Sequence, residues 1–156
     1  MIKVKRRKPT RLGVVLSGTV EQELAEVAEV AAPKETGGVL LGWHQDGAVI
    51  VRHALEVADP RATRSRWTRG PRRTQRVVER ALRELEHPLL GYVGDWHSHP
   101  AHCGPSGTDQ NSIAQTSLQY ELPVVLMVRL PDGTIEVRAV HAGRLLATRV
   151  SRRSSR

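Results

Sequence analysis

The apolar and polar positions along the chain recur with two periods, one typical of helices and one typical of strands. Helical spacing predicts amphipathic helices over 20–31 and from 74 to about 86. A third helix is predicted from Ser106 or Thr108 to about Gln119. Short apolar runs predict strands at 12–16, 39–43, 48–57, 89–96, 122–130, 134–140 and 143–150. Hairpin turns separate several of these strands, so we predict a mixed α/β fold and not a purely parallel sheet.

Changes in composition mark the boundaries of one domain. It is predicted over residues 12–150, between a basic arm at 1–11 and a basic tail at 151–156. Ile2 and Val4 alternate with lysines, so the arm could instead add an edge strand. The tail is predicted to be disordered.

Three local patterns refine this outline. Thr19 stands three positions before Gln22, which predicts a capping box at the start of the first helix. The pair Gly37-Gly38 predicts a close approach of backbones before a buried strand. Residues 58–73 contain six arginines with Asp-Pro and Gly-Pro pairs, and they are predicted to form a long exposed loop.

The formal charge of +8 narrows the classes of function. A basic balance suits either nucleic acid or an acidic protein partner. Neither a helix-turn-helix signature nor an aromatic platform accompanies the arginines, so we do not expect nucleic acid as the main ligand. The single cysteine, Cys103, excludes an internal disulfide and agrees with a reducing compartment. Apolar runs fall short of the roughly 20 residues of a membrane span and a cleavable leader pattern is missing, so we expect a cytoplasmic protein without membrane association.

The candidate chemistry lies in Gly94-Asp95-Trp96-His97-Ser98-His99-Pro100 and in the Ser-x-x-Asp that follows. His97 and His99 point to the same side of an extended backbone, and Pro100 favours that extended geometry. With Asp109 they form a three-ligand set, which leaves a fourth position free on a tetrahedral zinc ion, as in catalytic sites. Each residue alone has an ordinary interpretation, since a carboxylate in a first helical turn is favoured by the helix dipole.

The combination resembles the metal motif of the JAMM/MPN-domain (JAB) zinc peptidases, and most closely their small stand-alone bacterial members. The second marker of that family is a glutamate ahead of a glycine-containing strand, and Glu35 stands there, 62 positions before His97. The resemblance extends from about residue 17 to 149. It implies one MPN-type, cytidine-deaminase-like domain, in which a mixed β-sheet is flanked by helices.

The resemblance also implies roles for individual residues. One Zn²⁺ per chain would be held by His97, His99 and Asp109, with Glu35 as general base and proton shuttle and Ser106 as oxyanion stabiliser. Three further residues lie beside or between the two histidines in sequence. Asp95 and Trp96 are expected to orient ligands or shape the pocket, and Ser98 is expected to face away from the metal.

The loop between Pro100 and Ser106 departs from the family pattern, because it is one residue shorter than usual. This affects the path that brings Asp109 back to the metal. His102 and Cys103 lie in the loop, and both residue types bind zinc well. They therefore remain alternative ligands, and Cys103 remains a candidate redox-sensitive or inhibitory ligand.

The family resemblance implies a substrate class. Its members cleave isopeptide or peptide bonds after the C-terminal tail of ubiquitin or a ubiquitin-like protein, and several small bacterial members act beside conjugation machinery in antiphage defence. We therefore expect deconjugation or precursor processing, with residues 61–73 flanking the groove or forming merely a solvated loop. The alternatives are a sulphur-carrier-protein processing peptidase, a DNA-repair-associated member of the superfamily, and a non-catalytic MPN-like scaffold.

Overall fold

The computed structural model describes residues 11–153, and predictions for residues 1–10 and 154–156 lie outside this range. Those predictions are the basic arm with its optional edge strand and the last part of the tail. Within residues 11–153 the chain forms eight strands and three helices. In chain order they are β1 (Leu12–Ser17), α1 (Val20–Ala31), β2 (Gly37–Gln45), β3 (Ala48–Glu56), α2 (Pro71–Leu85), β4 (Gly91–Ser98), α3 (Gly107–Ser117), β5 (Val124–Arg129), β6 (Ile135–His141), β7 (Arg144–Leu146) and β8 (Thr148–Arg153).

All eight strands belong to one mixed sheet with the order β7-β6-β5-β4-β2-β3-β1-β8. The pairs β1–β3, β1–β8 and β4–β5 are parallel, and the remaining pairs are antiparallel. The turn between β2 and β3 has positive φ at Asp46 and Gly47, 50° and 73°, as a tight hairpin requires. The predicted mixed α/β fold is confirmed.

The end of the chain corrects two predictions. Only Ala147 separates β7 from β8, yet these strands occupy opposite ends of the strand order. The sheet must therefore curl until its two ends meet, and the Leu12 amide donates to the Ala147 carbonyl at 2.9 Å. The single strand predicted at 143–150 is thus two strands, and residues 151–153, predicted to be disordered, pair with β1 as part of β8.

The helices cover the two faces of the sheet. On one face α1 buries Val20, Leu24 and Ala28 against a core that contains Trp96. On the other face Ile113 of α3 packs against apolar residues of β5 and β6. The bounds of α1 agree with the prediction, but the Thr19 side chain makes no cap bond, and its hydroxyl donates to the Glu23 carboxylate at 2.7 Å.

The helix α2 is the least buried of the three. It begins at Pro71, three residues before its predicted start, because proline at a first helical position needs no amide partner. Of its side chains only Ala81 is buried. Within residues 11–153, none of the helices has the length and apolarity needed to cross a membrane.

A bulge in β4 decides which side chains face the functional side of the sheet. Gly94 pairs with Leu40 and Tyr92 pairs with Leu41, so Val93 is an extra residue in the ladder. Tyr92 therefore lies on the same face as Asp95, three residues away, and its hydroxyl donates to that carboxylate at 2.9 Å. Without the bulge, strict alternation would put these two side chains on opposite faces.

Candidate metal centre

Two histidines at the end of β4 and one carboxylate at the start of α3 converge on a single point. The Nε2 atoms of His97 and His99 lie 3.0 Å apart, and Asp109 Oδ2 lies 3.3 Å and 3.4 Å from them. Ligand atoms about 2.0–2.1 Å from a tetrahedral zinc ion lie about 3.3–3.4 Å from one another. These three residues therefore fit a zinc ion in donor type and spacing.

A carbonyl group orients His99. Its Nδ1 lies 2.8 Å from the backbone oxygen of Cys103, and a carbonyl can only accept, so Nδ1 carries the proton. The lone pair then lies on Nε2, on the side of His97 and Asp109, as a metal ligand requires. Neither Cys103 nor His102 contributes an atom to this cluster within residues 11–153. The Cys103 thiol is exposed, and His102 lies 4.0 Å from Asp132.

Asp109 belongs to the helix cap and to the cluster at once. The Ser106 amide donates to Asp109 Oδ2 at 2.8 Å, and the Asp109 amide donates to Ser106 Oγ at 3.1 Å, which is a capping box. Burial opposes ionisation of this carboxyl, but hydrogen bonds from His97 and from the Ser106 amide outweigh it, so the pKa of Asp109 is lowered. The carboxylate is therefore anionic and aimed at the two histidines.

Glu35 stands beside this cluster on the segment that leads into β2. It lines the same cavities as His97, His99 and Asp109. Burial raises the pKa of Glu35, and the two histidines only partly offset this effect. A carboxyl group with a raised pKa is suited to taking up and releasing a proton near neutral pH.

Ser98 joins Glu35's segment to β4. Its hydroxyl accepts from the Thr36 amide at 3.1 Å, and its own amide donates to the Thr36 carbonyl at 2.8 Å. As expected, the Ser98 side chain is not one of the three candidate metal ligands. The close approach of the Glu35 segment to β4 also needs a glycine at position 37, since a Cβ there would lie 2.5 Å from the Trp96 carbonyl oxygen.

The segment between β3 and α2, residues 57–70, lies over the three candidate ligands and is called the covering segment below. The sequence left open whether residues 61–73 flank a substrate groove or form a merely solvated loop, and it did not single out Trp67 or Arg69. The Trp67 ring stacks on His97 with 6.5 Å between ring centroids, while its Nε1 donates to the Val57 carbonyl at 3.0 Å. Arg69 donates to the Asp95 carboxylate at 2.5 Å. Burial raises the pKa of Asp95, and the Arg69 guanidinium opposes that rise. The prediction of a wholly exposed loop is therefore wrong at Trp67 and Arg69.

The expectation for the two residues before His97 holds for only one of them. Asp95 lines the cavity beside the cluster. Trp96 lies on the opposite face of the sheet, is 0% exposed, and donates to the Leu55 carbonyl at 3.1 Å. Two sequence signals could have pointed to these residues. Trp67 is the lone tryptophan of an arginine-rich segment, and the Asp95 carboxylate on a buried strand needs a partner such as Arg69.

Two cavities meet at the cluster. The first, of about 360 Å³, lies between the covering segment and α3, and it is bordered by Arg69, Asp95 and Ser112. The second, of about 580 Å³, is bordered by Arg64, Arg66, His99 and Ser106 among others. Glu35, Trp67, Thr68, Thr108 and Asp109 border both cavities. An extended chain could thus pass the cluster from one cavity to the other.

Comparisons with known proteins point to a family and to a fold. Residues 18–141 match the family described as prokaryotic homologs of the JAB domain. Over 127 residues the chain is 35% identical to a protein named CD-NTase/cGAS isopeptidase from Enterobacter hormaechei subsp. hoffmannii (strain UCI 50). That match covers 74% of this chain and 66% of the relative, so the chain spans just under two thirds of the relative's length.

A solved structure shares the fold. The protein DSY2949 from Desulfitobacterium hafniense, determined in solution, superposes with a TM-score of 0.66 over 91% of this chain and 94% of its own. Its sequence is 16% identical, so this likeness concerns the fold alone.

Proposed function

The chain belongs to the family of prokaryotic homologs of the JAB domain, and we propose that it is a zinc-dependent isopeptidase or peptidase. The observation that carries the proposal is the convergence of His97, His99 and Asp109 beside Glu35, a carboxyl that is not one of the three ligands. Zinc held by the three ligands would supply Lewis acidity, activating water and polarising the scissile carbonyl.

The protein's own groups then divide the remaining work. Glu35 accepts the proton of the attacking water and delivers it to the leaving amine, for which its raised pKa is favourable. We assign to the Ser106 hydroxyl the stabilisation of the negative charge that develops on the carbonyl oxygen. Because Ser106 Oγ already accepts from the Asp109 amide, its own hydrogen is free to donate to the substrate.

The proposed substrate is a protein joined through the C-terminal tail of a ubiquitin-like modifier, or a precursor that carries such a tail. A bacterial antiphage conjugation system is the proposed setting. The 35% identical relative supports this, because it is named as an isopeptidase. Its name also favours a second candidate, in which the conjugated protein is of the CD-NTase/cGAS type.

The test uses purified fusions of candidate modifiers to a reporter protein, with a CD-NTase fusion as a separate arm. Cleavage that stops on chelation and returns with zinc is the expected result. Glu35→Gln should keep its zinc and lose activity by a factor of about 10²–10⁴, since only the proton shuttle is removed. The matched control is Glu79→Gln, the same change on the exposed face of α2.

Three results would contradict the proposal. Full activity of Glu35→Gln would remove the mechanism. Zinc binding without cleavage of any fusion would favour the non-catalytic scaffold, whereas cleavage of a sulphur-carrier precursor alone would favour that rival peptidase.

A further inference from the structure

A short turn in the covering segment is hydrogen-bonded to the segment that carries Glu35 and leads into β2. The Glu35 amide donates to the Thr63 carbonyl at 2.7 Å, and the Thr63 amide donates to the Arg66 carbonyl at 2.9 Å. These bonds place the turn 63–66 directly beside the proposed general base. The turn is therefore part of the site and not a detached surface loop.

The Asp59 side chain holds the covering segment together from within. The Asp59 carboxylate accepts from the amides of Arg61 and Thr68, each at 2.9 Å, and lies 3.8 Å from the Arg73 guanidinium. Asp59 is thus occupied with bonds that shape the segment. It does not lie within 4.0 Å of the Arg64 or Arg66 guanidinium.

The arginines of the turn face the larger cavity without a carboxylate of their own. Arg64 and Arg66 border this cavity together with Glu35 and Ser106. Among residues 11–153, neither arginine forms an ion pair within 4.0 Å. The carboxylates that border the cavity are Glu35 and Asp109, and both are assigned to the chemistry. The Arg64 and Arg66 guanidinium groups at the cavity wall are therefore not paired with a carboxylate of the described chain.

The chemistry of the segment favours a peptide over a nucleic acid. Binding of single-stranded nucleic acid relies on aromatic side chains that are free to stack on bases. The aromatic residue of this segment, Trp67, is turned inward, with its ring on His97 and its Nε1 bonded to Val57. A guanidinium fork, by contrast, matches a carboxylate with two parallel hydrogen bonds.

We propose that Arg64 and Arg66 form a subsite for carboxylate side chains of the substrate. The enzyme would then prefer substrates with an acidic segment within a few residues of the cleaved bond. This inference rests on the proposed function, because it identifies the cavity wall with the path of the substrate.

The experiment measures binding and not turnover, with the full chain carrying Glu35→Gln. The probes are three fluorescent peptides that each contain a Gly-Gly pair. In the first a run of glutamates precedes the pair, and in the second a run of glutamates follows it. In the third, glutamines replace the glutamates on both sides. Binding of one glutamate peptide should weaken roughly fivefold in Arg64→Gln/Arg66→Gln, the loss expected for two exposed ion pairs. Which glutamate peptide responds tells whether the acidic segment lies before or after the cleaved bond.

The matched control is Arg149→Gln/Arg153→Gln, an equal change of charge on the exposed strand β8 at the far end of the strand order. This control should leave the binding of both glutamate peptides unchanged. Equal weakening in both double variants would reduce the effect to net charge and overturn the subsite. Unchanged peptide binding in Arg64→Gln/Arg66→Gln would also overturn the subsite. The same holds if a single-stranded oligothymidylate binds more tightly than the peptides through the same arginines.

The two proposals can fail separately. Binding of a glutamate peptide that depends on Arg64 and Arg66, without cleavage of any fusion, would refute the proposed enzymatic activity and keep the subsite. Cleavage of a fusion with charge-insensitive peptide binding would refute the subsite alone.

Discussion

Two segments form the candidate metal site, and they are held in place in different ways. In the ligand segment, residues 97–109, neighbours in sequence orient the ligand side chains, since His99 Nδ1 bonds to the Cys103 carbonyl and the Asp109 carboxylate bonds to the Ser106 amide. The covering segment, residues 57–70, is held mainly by partners far along the chain. Trp67 packs on His97, Arg69 bonds to Asp95, and the Thr63 carbonyl bonds to the Glu35 amide.

This difference separates the chemistry from its surroundings. The ligand segment needs only a strand end, a short loop and a helix cap to bring its three donors together. The covering segment contributes no metal ligand within the described chain, yet it forms a wall of both cavities. We therefore expect changes in the first to abolish metal binding, and changes in the second to affect stability and substrate binding while the metal remains.

The largest effect is expected for Asp109→Ala. Removing one of three ligands should reduce bound zinc from one per chain to a trace, and activity by a factor of at least about 10³. Elemental analysis of the purified protein measures the zinc. Ser106→Gly is the control for the zinc measurement alone, because it disturbs the same capping box at a cost of only a few tenths of a kcal/mol and keeps all three ligands. Zinc retained in Asp109→Ala would remove Asp109 from the ligand set.

A smaller effect, of another kind, is expected for Arg69→Ala. The Asp95 side chain is 16% exposed, and without Arg69 its carboxylate would keep only Tyr92 as a partner. The free energy of unfolding should fall by about 2–3 kcal/mol, measured by chemical denaturation, while zinc stays bound. Asp95→Asn added to Arg69→Ala should recover part of the loss.

The control for this prediction is Arg72→Ala, an exposed arginine at the start of α2. Equal stability of Arg69→Ala and Arg72→Ala would mean that the Arg69–Asp95 pair does not hold the covering segment.

The smallest effect is expected for Cys103→Ser. The contact with His99 is made by the backbone carbonyl at 2.8 Å, whereas the thiol lies 3.6 Å from Nδ1 and is exposed. Zinc content and activity should therefore change by no more than about twofold, as for other surface substitutions. A loss of zinc, or loss of the sensitivity of activity to oxidants, would instead support a direct or redox role for the thiol.

The fold could largely be read from periodicity. The three helices and most strands fall at or near their predicted positions, because burying an apolar face imposes a regular spacing. The errors lie where side chains carry little information. Strand β8 is mostly exposed and joins the sheet through backbone bonds to β1, so the polar sequence of its last three residues, 151–153, resembled a tail. Thr19 and Gln22 had the sequence of a capping box, but the Thr19 hydroxyl donates to the Glu23 carboxylate and its side chain makes no cap bond.

By itself, the sequence determined the arrangement of His97, His99 and Asp109, because strand alternation and a helix cap act over only a few residues. The tertiary structure decided everything that depends on distant partners. The bulge at Val93 turned Tyr92 toward Asp95, the curl of the sheet joined its two ends, and long-range hydrogen bonds brought the covering segment onto the site. Such contacts depend on how separate elements pack in space, and no local pattern of residue types specifies that packing.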